Sequence, residues 1–189
     1  MIIYLHGFNS SPDSIKAQQL HAFMKQLGLT QMYHCPALPP DPAAAIQDIE
    51  LLLHKIGPAT LIGSSLGGYY ATWLAERYNL RAVLINPVVC PAERFNSLLG
   101  PQHNLYTGNE WILTQAHLDS LSALDIPVFR LSNYLLLVEK GDEVLAWQDA
   151  VRHYAGTEQK IFPGGRHSFT RFKQCLPDIL AFAGLMRND

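Results

Sequence analysis

The chain has 189 residues, a formal net charge of -2, 48% hydrophobic residues and 16% charged ones. That balance excludes a disordered chain and fits one globular domain, 1–189, with a substantial core. No Lys/Arg-rich run occurs, so nucleic acid is not an expected partner, and no apolar run approaches the roughly 20 residues that span a bilayer.

The chain starts almost directly with Ile2-Ile3-Tyr4-Leu5. No basic segment followed by a long apolar core precedes it, so no signal-peptide pattern is present and the expected compartment is the cytoplasm. Strand 2–5 runs into His6-Gly7-Phe8-Asn9-Ser10-Ser11-Pro12, and helix 14–27, strand 31–35 and helix 42–56 follow. Asp41 is placed to cap the second helix, Pro42 suits its first turn, and Gly28 and Gly57 stand just past two helix ends. Strand 59–63, helix 66–78, strand 81–86, strand 133–139, helix 143–155, strand 158–162 and helix 169–185 complete the pattern. Such alternation is the signature of a parallel sheet with helices on both faces, wound by right-handed crossovers. Residues 87–132 break it: the segment is too long for a plain connection, so it reads as an insertion with local helices at 91–99 and 108–124. The cysteines, Cys35, Cys90 and Cys175, are odd in number and far apart, which predicts reduced thiols with neither disulfide nor metal site.

The chemistry concentrates at four places. Gly63-Ser64-Ser65-Leu66-Gly67 is a G-x-S-x-G run between an apolar strand and a helix. A serine on so sharp a turn projects its hydroxyl above the sheet, and only small neighbours such as Gly63 and Gly67 fit around it. Ser65, at the apex, is the expected nucleophile; Ser64 is the rival. A serine hydroxyl needs an adjacent imidazole as base. Of the eight histidines, His167 alone follows the last strand through a glycine-rich loop, Pro163-Gly164-Gly165-Arg166, at the strand edge where reactive groups gather. The acid should come after the preceding strand. Asp142 sits in a turn at the start of the next helix, with Glu139 at the strand end and Glu143 in the first helical turn as rivals. Acyl transfer also needs two backbone donors for the developing oxyanion. The N–H groups of Leu66 and Phe8 are the expected pair, with Gly7 allowing the tight path and His6 shaping the loop.

His6-Gly7-Phe8, Gly63-Ser64-Ser65-Leu66-Gly67, Gly141-Asp142 and Gly164-Gly165-Arg166-His167 together resemble, in order, the four motifs of the α/β-hydrolase superfamily. The opening M-I-I-Y-L-H-G-F-N-S-S-P is similar to the small YqiA-type bacterial esterases. The resemblance implies an α/β-hydrolase fold reduced to six parallel strands in the spatial order 2-1-3-4-5-6, helices on both faces and a short, helical, cap-like insertion at about 87–132. It implies cleavage of a carboxylic ester or thioester through an acyl-serine, with no cofactor. The apolar insertion residues Phe95, Leu98, Leu99, Tyr106, Trp111 and Leu113 are expected to form one wall of an acyl pocket, which suits short- to medium-chain acyl esters. A thioesterase acting on acyl-CoA is the alternative, since the triad does not tell an oxygen leaving group from a sulfur one. A binding module that kept the fold without the chemistry is a further alternative. The expected partner is a small-molecule acyl ester or thioester.

Overall fold

Along the first strand, β1 (Ile2–Leu5), every residue is buried, yet alternate side chains serve different layers. Ile2 and Tyr4 point into one apolar layer and Ile3 and Leu5 into the other, as a period of two requires of a strand covered on both faces. The same rule governs the central strands β3 (Thr60–Ser64), β4 (Ala82–Ile85) and β7 (Tyr134–Glu139), all fully buried. β2 (Tyr33–His34) and β8 (Glu158–Phe162) close the edges. The six strands run parallel in the order β2-β1-β3-β4-β7-β8, which is the order 2-1-3-4-5-6 expected for the main sheet. The structure is a computed structural model, and it describes residues 1–186.

One face of the sheet carries α1 (Ile15–Gln26) and α7 (Phe172–Phe182), whose Leu20, Met24, Phe172, Leu176 and Ile179 cover Ile2, Tyr4, Ile62 and Leu137. The other carries α2 (Pro42–Ile56), α3 (Leu66–Tyr78) and α6 (Trp147–His153), through Ile49, Leu74 and Ala150 among others. Asp41 caps α2 by accepting the Ala44 N–H at 2.7 Å, and Gly57 ends it at a φ of 81°. No helix among the described residues is long and apolar enough to cross a membrane.

The 87–132 segment differs from the expected pair of helices. It holds a five-residue helix α4 (Pro91–Phe95), a 3₁₀ turn over Asn96–Leu98, an antiparallel hairpin of β5 (Gly100–His103) and β6 (Glu110–Leu113), and α5 (Gln115–Ser122). The hairpin turns where Gly108, at a φ of 74°, donates its N–H to the Asn104 carbonyl. α5 begins only after Thr114, whose N–H is taken by the His117 ring at 3.0 Å. Glu110–Leu113, whose last three residues are apolar, therefore pairs as strand, and the chain turns helical only past the Thr114 cap. At the far end, buried Glu76 of α3 accepts from Tyr134 Oη, Arg130 Nη1 and the N–H groups of Phe129 and Arg130, tying the segment down before β7. The helix expected at 143–155 likewise starts late, at Trp147, because Asp142 Oδ1 takes the N–H groups of Val144 and Leu145 and holds 142–145 in a loop.

Candidate active site

Ser65 stands between β3 and α3 at φ 54°, ψ -120°. A non-glycine residue there costs on the order of 1–3 kcal/mol, and close packing holds it in place. A Cβ on Gly63 would lie 2.2 Å from the Gly67 carbonyl oxygen, one on Gly67 2.0 Å from the Leu5 carbonyl oxygen, and one on Gly68 2.8 Å from Pro87. The turn is thus wedged between β1, β4's exit and its own helix, and the small residues are there because backbone passes within contact distance. Ser64, the rival serine, ends β3 and is buried.

His167 reaches Ser65 from the loop after β8. Its Nε2 lies 3.1 Å from Ser65 Oγ and its Nδ1 2.8 Å from Asp142 Oδ2. A carboxylate on the Nδ1 side places the ring proton there and leaves Nε2 as acceptor for the Ser65 hydroxyl. The Asp142 side chain is almost completely buried while the imidazole keeps partial access to solvent. All three carboxylates weighed from the sequence hold this loop, each differently. Glu143 Oε2 accepts the backbone N–H of His167 at 3.0 Å, so it does not simply face outward from a helical turn. Glu139 ends β7 with no exposure at all and accepts five hydrogen bonds, from the N–H groups of Arg166, Thr170 and Arg171, the Thr170 hydroxyl and Arg171 Nη1. Burial works to raise its pKa, but the donors from Thr170, Arg166 and Arg171 outweigh it and hold the carboxyl below the usual range. Gly165, at a φ of 80°, is fitted to this carboxylate: a Cβ would meet Glu139 Oε2 at 1.9 Å.

Asn86 is a site residue that the sequence motifs do not mark. It sits just past β4 at a φ of 39°, buried, donates to the carbonyls of Arg166 and His167 at 3.1 Å each, and accepts the Glu139 N–H at 2.9 Å. Its only sequence signal is a polar residue at the carboxyl end of a central strand, where side chains face the crevice.

The loop after β1 lies directly against Ser65. A Cβ on Gly7 would come 3.2 Å from Ser65 Cβ and 3.8 Å from its Oγ. His6 is buried, accepts the Leu38 N–H on Nε2 at 3.1 Å and donates from Nδ1 to the Gly7 carbonyl at 3.0 Å, so it clamps the loop. Burial lowers its pKa, which the Gly7 carbonyl opposes in part. Leu66 opens α3, so its N–H has no intrahelical acceptor. Phe8 packs at 4.7 Å from the Phe95 ring and 5.5 Å from Trp111, whose Nε1 donates to Asn9 Oδ1 at 2.8 Å. Asn104 of the hairpin donates to the Ser10 carbonyl at 2.9 Å. The 87–132 segment thus buttresses the 7–10 loop. Of the insertion residues expected to wall the acyl pocket, Phe95 and Leu113 are buried, whereas Leu98, Leu99 and Tyr106 remain exposed.

Two cavities meet along the 7–10 loop. One, of about 320 Å³, contains Ser65 and His167 together with Tyr4, Ser14, Lys16, Gln19 and Tyr106. The other, of about 740 Å³, is lined by Phe8, Leu38, Pro39, Leu66, Tyr70 and Trp111 among others. Lys16 is half-buried, and burial pushes its ammonium down to about 8 against the opposing pull of Glu139. Among the described residues no cluster of three or more His, Cys, Asp or Glu side chains is arranged to hold a metal ion.

The uncharacterised protein family UPF0227 matches residues 1–184. Solved structures with the same fold include the α/β hydrolase domain-containing protein 10 from mouse, 16% identical, with a TM-score of 0.72 over 95% of this chain and 89% of that one. The esterase domain of a Rhodothermus marinus protein is 16% identical, with a TM-score of 0.69 and coverage of 96% and 85%. A Paleococcus ferrophilus monoacylglycerol lipase is 13% identical, with a TM-score of 0.67 and coverage of 98% and 94%. At such identities the likeness is one of fold, and the fold is that of the α/β hydrolases.

Proposed function

The chain belongs to the uncharacterised protein family UPF0227, and from the geometry around Ser65 we propose that it is a serine hydrolase acting as a carboxylesterase. The observation that carries the reading is the unbroken line from Ser65 Oγ to His167 Nε2 at 3.1 Å and from His167 Nδ1 to Asp142 Oδ2 at 2.8 Å. A serine held at a left-handed φ on such a line is a nucleophile with its base and orienting acid assembled.

Ser65 Oγ attacks the ester carbonyl carbon while His167 Nε2 takes the hydroxyl proton. The carbonyl oxygen becomes an oxyanion facing the N–H groups of Phe8 and Leu66, the second strengthened by the positive end of α3. The tetrahedral intermediate collapses, the bond to the leaving oxygen breaks, and the His167 imidazolium returns its proton to that oxygen. Water, deprotonated by His167, then cleaves the acyl-Ser65 ester, releasing a carboxylic acid and restoring the serine. Asp142 keeps the imidazole in the tautomer and orientation that both steps need. The acyl chain lies along the Phe8, Leu38, Leu66 and Trp111 surface, which suits short to medium chains.

A fluorophosphonate probe followed by peptide mapping tests the proposal directly. Labelling at Ser65, lost in Ser65→Ala, is the expected result, along with a fall in kcat of about 10⁴-fold or more because triad members act as a unit. An unlabelled wild-type protein, or labelling at Ser64 with an active Ser65→Ala variant, would overturn the assignment.

A further inference from the structure

The cavity around Ser65 has a charge that the acyl transfer does not use. Lys16 lines it, and its ammonium donates to the Ser168 carbonyl at 2.7 Å. That leaves two of its three donors uncommitted, and among the described residues no carboxylate lies within ion-pair distance of it. No acidic residue lines this cavity, and the nearby Glu139 carboxylate is already occupied by its five donors.

Beside Lys16 is the start of α1, a twelve-residue helix with no acidic residue in its first turn; Asp13, one residue before the cap, lines the other cavity. Its N-cap residue, Ser14, lines the same cavity and is only 7% exposed, and its Oγ, though near the Tyr4 hydroxyl, makes no well-formed hydrogen bond among the described residues. A buried hydroxyl without a well-formed partner is costly in a folded protein. An ammonium with two uncommitted donors, the Ser14 cap and a helix N-terminus line one wall.

The position of that wall says which part of an ester it meets. The leaving oxygen must face His167 Nε2, because the proton is returned from there, and the Lys16 anchor, Ser168, is the next residue in the chain. The 740 Å³ cavity lies beyond the 7–10 loop. We propose that Lys16, Ser14 and the α1 N-terminus form an anion site that binds a carboxylate or phosphate carried by the leaving group of the ester. The inference rests on the serine-hydrolase reading and names its substrate class: esters whose alcohol half is an anion.

The test compares acetyl esters of three phenols with purified protein: 4-hydroxybenzoate, 4-hydroxyphenyl phosphate and the neutral 4-hydroxybenzamide. Each kcat/KM is divided by that ester's own hydroxide-catalysed rate. A preference of about tenfold or more for a charged ester is expected from a charge-assisted contact in a partly enclosed site, and the larger of the two preferences names the group. In Lys16→Gln, which keeps a donor for the Ser168 carbonyl, the charged-to-neutral ratio should collapse towards one; in Lys16→Arg it should persist. Because each ratio is taken within one enzyme, a general loss of activity cancels. An equal ratio in wild type and Lys16→Gln overturns the anion site while the neutral ester still reports serine hydrolysis. A charge preference found only when the charge is moved to the acyl side, with the phenyl monoester of adipic acid against phenyl hexanoate, overturns the leaving-group placement. Failure of the wild type to cleave any ester overturns both this inference and the reading beneath it.

Discussion

Glu139→Gln is the substitution that most directly probes how the His167 loop is held. The side chain is fully buried, with Arg166 N and Thr170 N on Oε2 at 2.8 and 3.0 Å. Thr170 Oγ1, Arg171 N and Arg171 Nη1 lie on Oε1 at 2.8, 3.1 and 3.2 Å. A glutamine retains one acceptor oxygen and turns the other position into an NH₂ group that faces at least two donors. Leaving two buried donors without an acceptor costs about 2–6 kcal/mol at roughly 1–3 kcal/mol each. For a chain of this size that lowers Tm by roughly 5–20 °C. The same donors position Arg166 and Thr170 on either side of His167, so the imidazole should lose register with Ser65. A misplacement of about 1 Å can cost on the order of 100-fold, and it should appear in kcat with little change in KM, because Glu139 touches no substrate. Differential scanning calorimetry and steady-state kinetics on one soluble ester measure both. A Tm within about 2 °C of wild type together with an unchanged kcat would refute the reasoning, since the variant would then have tolerated the loss that five hydrogen bonds imply.

The depressed pKa of Glu139 also predicts a pH dependence of stability: its folded value lies below its unfolded value, so its contribution is fully present above the ordinary carboxylate range and is lost as pH falls through the folded value. Tm measured from neutral to acid pH should therefore converge for wild type and Glu139→Gln at the acid end; a constant gap would contradict this. Asp142→Asn should lower kcat/KM by roughly 10⁴-fold through loss of the imidazole's orienting carboxylate. Glu143→Gln, which alters only a contact to the His167 backbone N–H, should have a far smaller effect, and the reverse pattern would move the acid role. Trp111→Ala should shift kcat/KM towards longer acyl chains, because it removes a wall of the 740 Å³ cavity. Trp111→Phe, which loses only the bond to Asn9 Oδ1, should keep the wild-type chain-length profile, and an unchanged profile in a folded Trp111→Ala would take the residue out of the pocket.

Features that depend on a few consecutive residues are legible in the chain itself. The alternation of Ile2-Ile3-Tyr4-Leu5 between two apolar layers, the Asp41 cap and Pro42 at the start of α2, and the crowded Gly63 to Gly67 turn all follow from strand periodicity, capping chemistry and the space a Cβ occupies. The parallel direction of the strands follows from that alternation, and their order is what the resemblance to the α/β hydrolases implies. The 87–132 segment reads as helical in the sequence because an apolar run as short as Trp111-Ile112-Leu113 carries no period of its own, and only pairing with Gly100–His103 makes it a strand. Glu139, Asp142 and Glu143 lie within five positions of one another, and local chemistry treats them nearly alike. What separates them is the return of the chain some 25 residues later, when the loop after β8 sets a backbone N–H on Glu143, the imidazole on Asp142 and a fan of donors on Glu139. Lys16 acquires its place in the same way, on a carbonyl 152 residues distant. A carboxylate or ammonium takes its role from the donors and charges that surround it, and in this fold those arrive from strands that are neighbours only in the sheet.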